Sequence, residues 1–361
     1  MDLSKQSKKQ LPCVNNLQWT QFSNNLETAR DWINHQLEKE GLTPPLGHQA
    51  LNLGMVETVR RLLDKSSNHQ KGIFIGLRFR IARLDEEKNP YEHLLPIKLR
   101  SEFYQYVDRT LQSRSVFEVA IDGGIGDLLE AISILKPWIK RHNPTLKIFG
   151  NPTHRDLILP LLGKGSKIDI ANDYGHGVKY MLLRSWISAN EKDLYSSKWI
   201  NRDFIEKINR NKFICCWRAE GAEAKFSAFS RSLGFDHVQG FYINLRAIIP
   251  NAEIIDISKW KPWESESLIN HGIKLYDPKE GTLEDLLRMI NGRRVFTIDT
   301  ALAHLCAASG HPATVLLPMF PDERWLELKG SNTNYRQNLN FIQQVEFCSW
   351  RNPLREILAA V

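Results

Sequence analysis

From residue 116 onward the sequence alternates short apolar runs with amphipathic helical stripes, and this alternation constrains the fold more than any other feature. Residues 116–121 (VFEVAI) are followed by a helical stripe that starts near residue 127. Strands are predicted at 146–149 and 167–170, with a helix at 154–162 between them. Strands that alternate with helices favour a parallel sheet with right-handed crossovers.

The same alternation starts again near residue 209. The predicted strands are 213–217, 253–257, 273–276, 295–298 and 314–317, and the predicted helices are 238–249, 283–290 and 299–309. The stretch 178–208 is predicted to be helical and to join the two units. The sequence therefore predicts an α/β chain with two parallel-sheet units, 115–208 and 209–361, and a cleft at the carboxyl ends of both sheets.

The first 114 residues have a different pattern. Apolar residues recur at helical spacing in 17–39, 51–63 and 97–111, whereas the short run 73–82 is compatible with either a helix or a strand. No convincing repeat of about 34 residues is present, so a degenerate repeat module is one interpretation of this helical extension.

Composition excludes several classes of protein. In 361 residues, 42% are hydrophobic and 25% are charged, which is ordinary for a globular chain. The net charge of +7 suits a protein that handles anions, but no arginine- and lysine-dense helix indicates a nucleic-acid binder. No run reaches the roughly 18 apolar residues of a membrane span, and the first residues lack the apolar core of a signal peptide. We therefore expect a cytoplasmic protein without a transmembrane segment.

The five cysteines are scattered, and none forms a C-x-x-C pair. Their number is odd, which argues against a disulfide framework, and their spacing does not suit a zinc site. The sequence therefore predicts reduced, structural cysteines and no metal site.

The first candidate site is the turn DGGIGD, which ends at Asp127. Gly124 and Gly126 would let the backbone approach a ligand, but Leu129 occupies the third glycine position of a dinucleotide fingerprint. Asp127 is either a helix-start residue, stabilised by the helix dipole, or a general base beside the cleft. Glu130 shares its helix face, so a carboxylate pair is the further alternative.

The second candidate site is DTALAH, which starts at Asp299 directly after a predicted strand. Thr300 could hold a phosphate with its hydroxyl and with the free N–H groups of the helix start. His304 follows one turn later on the same side and could reach the same ligand. The structural alternative is an N-capping Asp299 with a buried, satisfied His304.

Two loops complete the candidate set, and both leave the carboxyl ends of predicted strands. One is a basic loop after 213–217 that contains Arg218, Lys225, Arg231 and Ser232. In the other, residues 318–325, Arg324 could meet anionic oxygens and Trp325 could stack on a ring. Each loop is equally compatible with ordinary surface charge.

These motifs together resemble glycosyltransferase family nine, the heptosyltransferase-like family of the GT-B fold. Residues 295–330 are similar to its donor-site segment, with DTALAHL at 299–305 in place of D-T-(A/G)-(L/V)-(A/S)-H-L. The pair Gly126-Asp127 resembles the family's amino-terminal G-D motif, and Arg231-Ser232-Leu233 resembles R-S-(L/I). Arg324-Trp325 and a later tryptophan look most like the subgroup associated with tetratricopeptide repeats. The resemblance covers about residues 116–361.

The resemblance implies a GT-B-like pair of Rossmann-like domains and a role for each matching position. Asp127 would be the catalytic base, and Gly124 and Gly126 would shape the loop beside the acceptor and the donor diphosphate. Arg231 or Lys225 would contact a phosphate. The remaining donor-site positions would be Ser232, Asp299, Thr300, Ala301, Leu302, His304 and Arg324.

The implied function is an inverting, metal-independent glycosyltransferase. It would move a sugar from a nucleoside-diphosphate sugar, with no other cofactor, to a hydroxyl of a carbohydrate, glycolipid or protein acceptor. The chain departs from the family at Gly124, Glu130 and His311, which leaves the sugar and the acceptor open. The alternatives are an epimerase or hydrolase of the same fold and a catalytically silent scaffold protein that binds a sugar nucleotide.

Overall fold

The computed structural model describes residues 25–65, 77–78, 80–81, 97–113, 116–121, 123–163, 167–171, 178–191, 198–200, 207–219, 231–322, 325 and 337–361. The predicted site residues Lys225 and Arg324, and most of the run 73–82, lie outside them. Within these ranges the chain contains a group of N-terminal helices followed by two parallel sheets. The predicted α/β class with two parallel sheets is confirmed.

The N-terminal helices begin and end at residues suited to those positions. Asn25 accepts a hydrogen bond from the Thr28 N–H at one helix start, and Gly41, with φ 74°, lies at the end of that helix. The next helix begins with Thr43 as its N-cap, followed by a proline pair. Within the described residues, the helices with defined bounds are α1 (Leu26–Glu40), α2 (Pro44–Leu51), α3 (Val56–Asp64) and α4 (Ile97–Gln112).

The first sheet has the strand order β3-β2-β1-β4, and all its pairs are parallel. Its strands are β1 (Val116–Ala120), β2 (Thr145–Phe149), β3 (Ile168–Ile170) and β4 (Val178–Lys179). The helices that connect them are α5 (Ile125–His142), α6 (Pro152–Leu162) and α7 (Tyr180–Asn190). The fully helical prediction for 178–208 is wrong at both ends. Strand β4 pairs with the end of β1 before α7 begins, and the described residues between Asn190 and residue 208 are not helical. A two-residue strand is too short for periodicity to detect.

The second sheet has six parallel strands in the order β10-β9-β8-β5-β6-β7. They are β5 (Asn209–Cys216), β6 (Glu253–Asp256), β7 (Lys274–Leu275), β8 (Arg293–Ile298), β9 (Ala313–Leu317) and β10 (Leu339–Gln343). The helices are α8 (Phe235–Ile248), α9 (Pro262–Asn270), α10 (Leu283–Ile290), α11 (Ala301–Ser309) and α12 (Arg351–Ala359). This is the Rossmann order, which reverses between β5 and β8 and so places the ligand crevice at their carboxyl ends.

The two sheets share one buried apolar cluster. It contains Phe117 and Leu129 from the first unit together with Leu302 and Val315 from the second. The first turn of α5 packs directly against the first turn of α11. The division of the chain at residues 115 and 209 stays a prediction. None of the helices in the described ranges has both the length and the apolar character needed to cross a membrane.

Candidate functional site

The two candidate motifs of the sequence meet in space. Gly124 is the N-cap of α5 and Thr300 is the N-cap of α11, and each follows the carboxyl end of a parallel strand. A Cβ atom added at Gly126 would lie 2.6 Å from Cδ2 and 3.2 Å from Nε2 of His304. Only a residue without a side chain lets the helix starts approach this closely. The start of α5, which carries the Asp127 carboxylate, therefore lies beside the start of α11, which could bind an anion.

Asp127 is half-buried at the third position of α5. Its Oδ2 accepts a hydrogen bond from the Gly124 N–H at 2.7 Å, so the carboxylate helps to cap the helix. Gly123 has φ 129°, and a side chain at that position would collide with the Asp127 carboxylate. Asp127 thus has the helix-start role that was one of the two predicted for it. Its carboxylate also lies at the carboxyl edge of the first sheet.

His154 lies within electrostatic range of Asp127 and was not among the residues predicted from the sequence. It lies in the first turn of α6, the helix that follows β2. Strand β2 pairs with β1 as far as the residue pair Ala120 and Phe149. Burial lowers the pKa of the imidazole, whereas the negative charge of Asp127 raises it by a smaller amount, so the net pKa is lowered. His154 could have been predicted from its position after the second strand, because the carboxyl ends of parallel strands lie at the same edge of the sheet.

Asp299 pairs with Arg231. An Arg231 Nη1 lies 3.0 Å from Asp299 Oδ2, and Asp299 is only 4% exposed. Asp299 is therefore an ion-pair partner, and Thr300, with an extended backbone, occupies the N-cap position that the sequence analysis considered for Asp299. Among the described residues, the buried Nε of Arg231 has no hydrogen-bond acceptor. The Arg231 side chain as a whole is 30% exposed, so its guanidinium, next to a helix N-terminus, is suited to an anionic ligand.

The hydroxyl of Thr300 has a different orientation from the one predicted. It lies 3.0 Å from the Thr297 hydroxyl and donates to Cys216 Sγ at 3.7 Å, and no side chain in the described part of the chain caps α11. The first intrahelical bond is donated by Ala303 to the Thr300 carbonyl. The backbone N–H groups of Ala301 and Leu302 precede that bond, so they are the groups that can face an anion.

His304 is 2% exposed and lies inside the interface between the two helices. Its ring centroid is 4.7 Å from that of Trp325, and its Nε2 is 4.0 Å from Asp299 Oδ1. The buried histidine, which was the structural alternative of the sequence analysis, is what the structure shows. Within the described part of the chain, His304 is placed to influence a ligand through Asp299 and through the packing of the helix start.

Ser232 holds the base of the loop after β5. Its hydroxyl accepts a hydrogen bond from the Ala219 N–H at 3.0 Å, and the Leu233 N–H donates to the Trp217 carbonyl at 2.8 Å. Arg218 is fixed in the same region, because its Nη1 lies 3.2 Å from Glu264 Oε2 and its guanidinium stacks on Trp260. Ser232 and Arg218 thus have structural partners, and Arg231 is the described cation of this loop that adjoins the start of α11.

A buried polar network supports the same edge of the second sheet. Asp256, at the end of β6, accepts hydrogen bonds from the Tyr242 hydroxyl at 2.7 Å, the Ser258 N–H at 2.7 Å and the Trp260 indole at 3.2 Å. Trp217 donates its indole N–H to the Tyr242 oxygen at 2.7 Å. Burial raises the pKa of Asp256 to about 6, although these hydrogen bonds lower it. The network ties the end of β5 to the end of β6.

This raised pKa predicts a pH-dependent stability. Between pH 4 and 6 the unfolded chain ionises Asp256 while the folded chain keeps it protonated, so the free energy of unfolding falls as the pH rises. Relative to Asp256→Asn, the wild type should lose roughly 2–3 kcal/mol between pH 4 and pH 7. Urea unfolding of both proteins across this range measures the difference. A difference that does not change with pH would contradict the prediction.

Within the described residues, no group of three or more histidine, cysteine, aspartate or glutamate side chains is placed to hold a metal ion. The residues that converge are a carboxylate, a helix N-terminus and a paired arginine. This set can accept a proton at one side and bind a phosphate at the other.

Comparisons with known proteins give distant structural neighbours. No protein-family model matches the chain, and no curated protein sequence matches it. The E. coli heptosyltransferase WaaC with ADP-2-deoxy-2-fluoro heptose has a TM-score of 0.43 and 12% identity, covering 68% of this chain and 99% of that one. E. coli ADP-heptose lps heptosyltransferase II has a TM-score of 0.45 and 13% identity over 67% of this chain and 97% of that one. The dodecameric glycosyltransferase TibC of E. coli has a TM-score of 0.37 and 13% identity over 56% and 57% of the two chains.

Proposed function

We propose that this protein is an inverting glycosyltransferase of the GT-B type. It transfers a sugar from a nucleoside-diphosphate sugar to an acceptor hydroxyl, with Asp127 as the general base. The donor diphosphate lies at the start of α11, where the N–H groups of Ala301 and Leu302 and the guanidinium of Arg231 face it. The motif resemblance of the sequence and the site geometry support the same assignment.

The observation that carries this proposal is the contact between Gly126 and His304. Gly126 precedes Asp127, and His304 belongs to the first turn of the proposed diphosphate-binding helix. A transfer reaction needs the base and the leaving-group site on either side of one reacting carbon, within a few ångströms. Two helix starts in van der Waals contact, which follow strands of two different sheets, support such an arrangement.

The chemistry follows from these positions. The acceptor oxygen attacks the anomeric carbon, its proton passes to the Asp127 carboxylate, and the bond to the diphosphate oxygen breaks with inversion. The departing diphosphate gains negative charge, which the positive end of α11 and Arg231 stabilise. Asp299 holds one Nη of Arg231, and the side chain is still 30% exposed, so the exposed part of the guanidinium is left to the phosphate. No step of this scheme requires a metal ion.

A second function is favoured by one specific observation. Because Asp127 already accepts the Gly124 N–H bond, its carboxylate has a structural reason to be present. A protein that binds a sugar nucleotide without turnover would retain the same groups. An epimerase or hydrolase of the same fold would turn over the donor without an acceptor.

Nucleotide binding is the first test. We expect ADP, GDP, UDP or CDP to raise the melting temperature, because a ligand that binds the folded state adds about 2.7 kcal/mol of stability at 100 times its Kd. The experiment is a thermal-shift titration of the whole chain with these diphosphates and with NAD. Stabilisation by NAD alone would contradict the proposal.

The matching nucleotide sugars are then incubated with and without candidate acceptors. Release of the nucleoside diphosphate only in the presence of an acceptor supports transfer. Release without one supports a hydrolase, and binding without release supports a silent binding protein.

A further inference from the structure

The N-terminal helices contact the second unit at the segment that follows β9. In this segment, residues 318–322, Phe320 lies against Gly54, where an added Cβ would be 2.5 Å from its Cε1. Gly54 has φ 71°, so glycine suits this position for its backbone as well as for its missing side chain. Arg30 lies over the same ring at 5.8 Å and is held by a 2.9 Å bond from its Nε to the Leu53 carbonyl.

A second contact joins the same two parts of the chain. His48 in α2 is close enough to Asp322 for the aspartate charge to raise its pKa, although burial and Arg80 together lower that pKa to about 4. Arg80 is buried, with Nη1 3.2 Å from His48 Nδ1 and Nη2 donating to Asn52 Oδ1 at 2.9 Å. Asp322 of the 318–322 segment therefore lies within electrostatic range of His48 in the N-terminal helices. Phe347, after β10, packs on the same apolar cluster of these helices.

Trp325, which follows the 318–322 segment, contacts the proposed donor site. Trp325, three residues beyond Asp322, is buried against His304 of α11 and against Phe341 of β10. The Met319 N–H donates to the side chain of Gln344 at 3.1 Å, which fixes the segment to the end of β10. A short piece of chain thus contacts the N-terminal helices at Phe320 and the first turn of α11 at Trp325.

We propose that the N-terminal helices are a positioning element of the donor site, which acts through Phe320 and Trp325 on the first turn of α11. The expected influence of these helices on nucleotide affinity rests on the proposed function. Their expected influence on the stability of the first turn of α11 does not. Phe320 is a positioning residue, because it is argued to act through Trp325 and His304.

The test compares Phe320→Ala and Phe320→Leu with Ile243→Ala, a control on α8 where the side chain is 50% exposed. Hydrogen exchange of the whole chain, followed by mass spectrometry, reports on α11. We expect Phe320→Ala to speed exchange in α11 about tenfold, as local opening becomes easier, and Phe320→Leu to restore most of the protection. The control should leave α11 unchanged. Faster exchange confined to α1–α3 would overturn the proposal.

The affinity for the nucleoside diphosphate that stabilises the wild type is the second readout. Phe320→Ala should weaken binding about fivefold to tenfold, and Phe320→Leu should recover it. Unchanged affinity together with unchanged exchange would overturn the positioning role. If the wild type binds no nucleotide, the proposed function fails, and the exchange experiment still decides whether Phe320 controls α11. If Phe320→Ala does not fold, the remaining increase of α11 exchange in Phe320→Leu over the wild type becomes the readout, and the absence of any increase would overturn the proposal.

Discussion

Asp127→Asn should reduce sugar transfer about 10²–10⁴-fold, the usual contribution of a positioned general base, while the melting temperature stays close to that of the wild type. The asparagine carbonyl oxygen can still accept the 2.7 Å hydrogen bond from the Gly124 N–H, so the start of α5 keeps its cap. An amide cannot take the proton of the acceptor hydroxyl. Donor affinity should also change little, because the diphosphate is assigned to α11. The experiment is a paired measurement of transfer rate, nucleotide affinity and melting temperature.

Glu130→Gln provides the matched control, because Glu130 lies on the same helix one turn after Asp127. We expect it to transfer at close to the wild-type rate. If Glu130→Gln loses activity and Asp127→Asn does not, the base has been assigned to the wrong carboxylate. A large fall in melting temperature for Asp127→Asn, with a proportionate loss of activity, would leave Asp127 only its helix-capping role.

Much of the fold follows from local sequence, and the exceptions have physical causes. Four strands were predictable, because they are apolar runs bounded by turn residues. They are the first strand of each unit, β1 and β5, and the strands β8 and β9, which precede Asp299 and Pro318. Strand β4 was missed, because two residues form a strand there only through pairing with β1. Helix α9 was also missed, because its sequence PWESESLIN buries only Glu264 and Leu268 and so has a weak apolar stripe.

The candidate site was predictable in its motifs but not in its side-chain orientations. Strand ends followed by Gly126-Asp127 and by Asp299-Thr300 could be found in the sequence, because the chain turns into a helix there. The burial of His304 depends on Gly126 and Trp325, which are far from it in sequence. The Thr300 hydroxyl likewise turns toward Cys216, 84 residues away. Such contacts arise from tertiary packing, and periodicity within one segment contains no information about them.

Arg231 provides the second large expected effect, because it is proposed both to bind the donor phosphate and to neutralise Asp299. Arg231→Gln should weaken nucleoside-diphosphate binding by roughly 1.5–3 kcal/mol, about 10- to 150-fold, since a hydrogen bond to a charged group is lost. It should also lower stability, because Asp299 is 4% exposed and would lose its charge partner. With the Arg231 side chain 30% exposed, we expect this stability loss to be about 1–2 kcal/mol.

The double variant Arg231→Gln/Asp299→Asn separates the two roles. Removing both charges should restore most of the stability, because no buried charge remains unpaired, but it should not restore nucleotide affinity. Arg218→Gln is the matched control: Arg218 lies at the base of the same loop and pairs with the buried Glu264 at 3.2 Å. It should lower stability and leave nucleotide affinity near that of the wild type. If the double variant recovers affinity, or if Arg218→Gln weakens binding as much as Arg231→Gln does, then Arg231 only supports the fold and the phosphate must be bound elsewhere.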